Sequence, residues 1–306
     1  MTDRRRTGLL LALTTAVISG FAVFLNAYGV KAVGNATTYT TLKNGVSLLA
    51  LLAVVAAAGA VTGVRRRGLV TRPSTRAQWW GLGLVGVLGG AVAFVLFFEG
   101  LARASSTNAA FLHKTLLVWV ALLAVPLLGE RLGVWHVLAI VALVVGQVGL
   151  AGGVSSLAGV GQVMVLAATL LWAVEVVVAK RLLSDLSSWT VALARMGIGS
   201  VVLLAWTAAR GGLGSALALS GTQWGWVLLT GVLLAAYVAT WFAALARAQA
   251  VDVTAVLVVG AVVTSMLAAG IQGVPLGPQL GWLALVVLGA VLVAVPSLRP
   301  AREATA

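Results

Sequence analysis

The run FLHKTLLVWVALL (residues 111–123) sets His113 and Lys114 side by side in otherwise apolar sequence. Comparable groups interrupt other apolar runs: Lys43 in TTYTTLKNGVS, Glu175 in LLWAVEVVVAKR and Arg195 in WTVALARMGIGSVVLL. Together these are three fixed cations, one carboxylate and a titratable imidazole. Such a set suits the capture of an anionic or zwitterionic solute, because charge-assisted hydrogen bonds to a carboxylate or phosphate supply the missing negative charge. It does not suit catalysis. His113 and His136 are the only histidines and there is no cysteine, so a three-ligand zinc site is not expected. Neither a Ser-centred nucleophile motif with a partner base nor a phosphate-cradling P-loop appears. The chain is therefore expected to be no enzyme, to carry no cofactor or metal, and not to drive transport with ATP by itself.

The elements that hold these residues must cross a membrane. Of 306 residues, 61% are hydrophobic and 9% charged, with a mean hydropathy of +1.10. A water-soluble chain of this length leaves much of its surface facing solvent and could not hide that much apolar area. Uncharged runs of about 20 residues recur, the length that spans a hydrocarbon core of roughly 30 Å. The first run follows a basic start, MTDRRR, but continues to about Val30; it reads as a span and not as a cleaved signal peptide.

Hydropathy and loop punctuation give ten spans, at about 8–30, 37–60, 79–98, 106–128, 133–151, 161–180, 188–209, 223–245, 252–270 and 279–296. With both termini in the cytoplasm, fourteen basic residues fall in cytoplasmic segments, Arg65, Arg66, Arg67, Arg299 and Arg302 among them. Only Lys31, Arg103 and Arg210 fall outside, a bias that a miscounted span would scramble. The net charge of +13 is thus read as membrane orientation and not as nucleic-acid binding. The chain also repeats itself. WGLGLVGVLGGAVAFVLFFEGLARA (80–104) aligns without gaps to WGWVLLTGVLLAAYVATWFAALARA (224–248), offset by 144 with nine identities in 25. A five-span unit used twice is inverted the second time, because five is odd. Inverted repeats are a common plan of secondary transporters, with substrate near the midplane between the halves. The expected fold is an all-α integral membrane protein, ten helices in two inverted five-helix repeats (1–152 and 153–306) around a central cavity.

The block GLARASSTNAAFLHKTLLVWVALLAVPLLGERLGVWHVLAIVALVVGQVGL (100–150), with Pro126 and the Glu130–Arg131 turn, resembles the EamA-type family of the drug/metabolite transporter superfamily. LLWAVEVVVAKR (170–181) and WTVALARMGIGSVVLL, with Arg195, extend the likeness into the second half; QGVPLGPQLGW (272–282) departs from it by lacking a glutamate after span 9. The resemblance implies a cavity lined by spans 1–4 and 6–9, with spans 5 and 10 peripheral. It implies no particular substrate.

The candidate substrate-binding residues are Lys43, Lys114, His113, Asn44, Tyr39, Trp172, Glu175, Arg195 and Tyr237. Tyr39, Lys43 and Ser47 form one polar stripe at i, i+4 and i+8. Structural readings stand beside each. Lys43 and Lys114 could snorkel to the membrane surface, and Glu175 and Arg195 could simply neutralise each other. Trp172 and Tyr237 could be packing aromatics, and His113 a satisfied interior polar group as readily as a proton carrier. His113 and Lys114 lie about 100° apart on their helix, so both cannot point straight into one cavity. The same caution covers Asn26, Asn44, Asn108 and Gln147, and the GxxxG pairs at Gly86–Gly90 and Gly149–Gly153. The expected function is secondary transport of a small hydrophilic anion or zwitterion, such as an amino acid or organic acid, across a bacterial cytoplasmic (inner) membrane. A lipid-phosphate or polyprenyl-phosphate flippase, or a non-transporting structural membrane protein, is the alternative. Expected partners are the solute and membrane lipid, with no nucleic acid, and homodimerisation is left open.

Overall fold

The computed structural model describes residues 2–61, 69–104, 106–153 and 159–298. Arg65, Arg66, Arg67, Arg299 and Arg302 lie outside that set, as does the side chain of Asn108. Within it the protein is all helical: α1 (Thr2–Val33), α2 (Ala36–Val61), α3 (Arg76–Leu101), α4 (Ser106–Lys114 and Leu116–Leu128), α5 (Val134–Leu150), α6 (Val160–Leu182), α7 (Ser188–Ala209), α8 (Gly221–Leu245), α9 (Ala250–Leu257 and Gly260–Gln272) and α10 (Leu280–Leu298). A short helix, Leu213–Leu217, precedes α8. Nine of the ten are long and apolar enough to span a membrane among the described residues; α5, at 17 residues, is a shorter apolar helix.

The repeat written in the sequence reappears in backbone detail. α4 breaks at Thr115 and α9 at Val258–Val259, which the 144-residue offset superposes. α4 ends on Gly129 (φ 67°) and α9 on Gly273 (φ 70°), again 144 apart. A side chain resists that left-handed turn, so glycine closes both helices. α5 and α10 pack chiefly on each other at the periphery, Gly146 and Gly149 lying against Trp282.

Close crossings use small residues, as lipid offers no hydrophobic drive between helices. A Cβ added at Gly199 of α7 would stand 2.5 Å from the Gly90 carbonyl of α3, and one at Gly86 would stand 2.5 Å from Ile198 Cβ. The Gly86–Gly90 pair is thus a real contact surface. Gly153, by contrast, has nothing near the place of its missing Cβ. Around this crossing α3 widens into a π-helical segment, Val85–Val92. Such bulges mark functional stretches more often than chance.

The end of the bundle that carries the N-terminus is tied by buried polar groups. Arg5 pairs with Asp252 at 3.0 Å. His136 Nδ1 accepts from the Gly133 N–H, so its Nε2 carries the proton and donates to Asp252 at 3.0 Å. Lys180 donates to the carbonyls of Leu245 and Ala248, each at 2.6 Å. Glu130 accepts from the first amides of α9, Ala250 N at 2.6 Å and Val251 N at 3.1 Å. Burial raises the Glu130 carboxyl above the usual carboxylate range, while the two amides and the Lys180 charge pull it back.

Candidate functional site

Between the two halves lies a cavity of about 150 Å³. It is small beside the roughly 300–1,000 Å³ of pockets for drug-sized ligands. Its walls come from α1, α2, α3, α4, α6, α7 and α8. α9 contributes none of the lining residues, which corrects the lining by spans 1–4 and 6–9 that the resemblance implies.

One wall is an ion pair. Arg195 donates from Nε to Glu175 Oε1 at 2.5 Å and from Nη2 to Oε2 at 3.3 Å. The planar fork of arginine meets both carboxylate oxygens, the arrangement that best offsets the desolvation of two charges. Nη2 also reaches the Gly89 carbonyl at 3.1 Å, which accepts from Trp172 Nε1 at 3.1 Å as well. This explains the glycine at 89, since a Cβ there would overlap the Glu175 carboxylate. The Arg195 guanidinium lies 5.3 Å from the Phe94 ring centroid.

On another wall Lys43 is 2% exposed. Its Nζ donates to Asn26 Oδ1 at 3.2 Å and lies 4.6, 5.2 and 5.7 Å from the rings of Phe98, Tyr39 and Phe94. Ring faces carry partial negative charge and hold a cation without neutralising it. No carboxylate lies within ion-pair distance of Lys43 among the described residues. Tyr39 Oη is 2.6 Å from Asn26 Oδ1 and 2.8 Å from Thr230 Oγ1, donating to one or the other. His113 completes the lining, its ring 4.9 Å from Trp172 and 5.2 Å from Phe97. Its buried Nδ1 has no hydrogen-bond partner among the described residues. Tyr237 stacks on Trp241, with centroids 6.0 Å apart.

Six of the nine residues singled out by sequence thus share one cavity: Lys43, His113, Trp172, Glu175, Arg195 and Tyr237. Tyr39 stands behind it, holding Asn26. Two part company with it. Asn44 turns along its own helix, its Nδ2 donating to the Thr40 carbonyl at 2.8 Å. Lys114 lines a separate narrow space of about 30 Å³ with Phe111, Leu143, Gln147 and Val258. A cavity shared by Lys114 and Lys43 is therefore corrected: α4 turns His113 inward, and Lys114, about 100° round, faces α5 and α9. The cations about the cavity are then two, Lys43 and Arg195, against Glu175. Sequence reasoning marked Asn26 only with caution and passed over Thr230 and the aromatics Phe94, Phe97, Phe98 and Trp241. The i, i+3, i+4 spacing of the three phenylalanines on α3 was a signal of one shared face. Among the described residues no group of three His, Asp or Glu side chains converges as a metal site would require.

Comparison with known proteins agrees with this architecture. The sequence model described as "EamA-like transporter family" matches residues 6–152 and, a second time, residues 159–295. A solved structure described only as "Crystal structure of protein" superposes with a TM-score of 0.73 at 20% identity, covering 94% of this chain and 98% of that one. At that identity the likeness is one of fold. No curated protein matches the chain.

Proposed function

The chain belongs to the EamA-like transporter family, and from that premise we propose that it is a secondary transporter of a small anionic or zwitterionic metabolite, such as an amino acid or organic acid. The observation that carries this reading is Lys43, a buried cation facing the cavity with an amide oxygen and three ring faces for company and no carboxylate. With Arg195 matched to Glu175, the cavity keeps one surplus positive charge. A solute carboxylate or phosphate beside Nζ would cancel it, while the aromatic walls take an apolar body. The cavity draws its walls from both halves, as alternating access requires of a substrate held between repeats. The proposed repeats are residues 1–152 and 153–306. Both termini are proposed to face the cytoplasm of a bacterial cell, on the arginine bias of the loops. Lipid-phosphate flipping is the weaker reading, because a groove on the outside of the bundle, between α3 and α7, shares no lining residue with the cavity.

The test is Lys43→Met in purified protein screened by thermal shift with amino acids, organic acids and phosphates. A ligand at 100 times its dissociation constant stabilises by about 2.7 kcal/mol. The variant should fold and lose roughly 1.5–3 kcal/mol of affinity for an anion that stabilises the parent, the scale of a hydrogen bond to a charged group. Undiminished affinity in Lys43→Met would reject the proposal.

A further inference from the structure

Two of the three basic residues that the loop bias leaves on the outer side, Arg103 and Arg210, meet at one place. α3 and α7 touch backbone to backbone at Gly90 and Gly199. Beyond that crossing, toward the ends that carry these arginines, a groove of about 420 Å³ opens between them on the outside of the bundle, Met164 of α6 also lining it. Its deep part is apolar, with Ala91, Val92 and Val95 of α3 facing Val202 and Leu203 of α7. Its mouth is polar: Glu99, Arg103, Arg210 and the indole of Trp206. From residue 92 to residue 103 the helix rises about 16 Å at roughly 1.5 Å per residue, half a bilayer core.

The charges at the mouth do not cancel. Arg103 Nη1 holds Glu99 Oε2 at 2.5 Å, and Glu99 also accepts from Thr37 Oγ1 at 3.0 Å. That leaves Arg210, whose guanidinium rests 5.6 Å from the Trp206 ring, with no carboxylate in ion-pair range among the described residues. An indole at this level sits where tryptophan anchors at the membrane interface. A basic mouth above an apolar trough matches a phospholipid with a negative headgroup, one acyl chain lying in the trough. We propose that this groove is a binding site for a single anionic phospholipid, its phosphate between Arg103 and Arg210. Which leaflet supplies the lipid follows from the orientation proposed above; the chemistry of the site does not.

The full-length protein in detergent is titrated with acyl-chain-brominated phosphatidylglycerol or phosphatidylcholine, following tryptophan quenching. The Trp206→Phe variant isolates the contribution of that indole among the eleven tryptophans. Phosphatidylglycerol should quench a saturable component that Trp206→Phe lacks, with a half-point about tenfold or more below that of phosphatidylcholine. Arg103→Gln/Arg210→Gln should erase the preference while its melting temperature and its solute-induced thermal shifts stay near those of the parent. Arg210→Gln alone should erase most of it, keeping the test usable if loss of Arg103 unsettles Glu99. Equal half-points for the two lipids, or a preference that survives the double change, would overturn the proposal. So would displacement of the phosphatidylglycerol by millimolar inorganic phosphate, since that would make the mouth a free-anion site. The quenching readouts depend neither on solute transport nor on Lys43, so the site can fail while the transport reading stands, and the reverse.

Discussion

Lys43 and Asn44 are neighbours in sequence, yet one faces the cavity and the other bonds to its own helix. His113 and Lys114 divide in the same way. The sequence announces that such pairs diverge by about 100°, but the rotation of each helix about its axis is set by packing against neighbours, which no single run of residues contains. That is why the charged residues were legible as candidates while their common site was not. Asn26 is the same case, an unremarkable amide until α1 and α2 are set side by side. The geometry changes what Lys114 should do: Lys114→Met should leave solute affinity unaltered in the assay that condemns Lys43→Met, and a matching loss in both would show that the two lysines act together after all. The Glu175–Arg195 pair has its own test. Glu175→Gln strands a buried guanidinium and should lower stability by about 3–5 kcal/mol, while Glu175→Gln/Arg195→Met should recover most of it. A single variant that melts like the parent would contradict a structural contribution from the pair.

At the scale of the element, helix count and rough extent follow from hydropathy, because a bilayer enforces a span length. The breaks in α4 and α9 were not legible. Thr115 and Val258–Val259 carry neither proline nor glycine; the local marks are a Thr115 hydroxyl bonded back to the Leu112 carbonyl at 2.6 Å and Gly260 directly after Val259, too common in such helices to announce a break. The α3–α7 crossing was half legible, as a GxxxG pair in a chain with 36 glycines. Its importance shows only in the partner helix, where Gly199 faces Gly90. Gly199→Val should therefore cost about 1–3 kcal/mol by overpacking, or prevent assembly. Gly197→Val, whose new Cβ would meet only Leu48 Cδ1 at 3.8 Å, should be tolerated. Comparable melting of the two variants would show that the crossing is looser than described.

For the whole molecule, the 5+5 plan was readable from an offset of 144 and an odd number of spans, and the backbone reproduces the offset at the helix breaks and the closing glycines. Sidedness rests on the loop charges. A cysteine placed at Ala218 should react with an impermeant thiol reagent added outside intact cells, and one at Ser74 should not, since both positions are exposed and lie at opposite ends of the bundle. The reverse pattern would invert the topology.

The inverted repeat is not symmetric in one respect. Glu130 fastens onto the opening amides of α9, whereas its counterpart 144 residues on is Val274, which has no side-chain acceptor for the opening amides of α4. The two matching halves thus differ at their ends: the Glu130 contact with α9 has no counterpart from Val274 at the start of α4. Under the alternating access proposed above the two ends serve as doors, and the Glu130 end should open the less often even with nothing bound, leaving the empty protein facing away from it. Hydrogen exchange reads this directly: the amides of Ala250 and Val251 should exchange far more slowly than those of Ser106 and Thr107, and Glu130→Ala should bring the two doors to a similar rate. Were the rates already alike in the parent, the preference for one resting direction would have to come from elsewhere in the bundle.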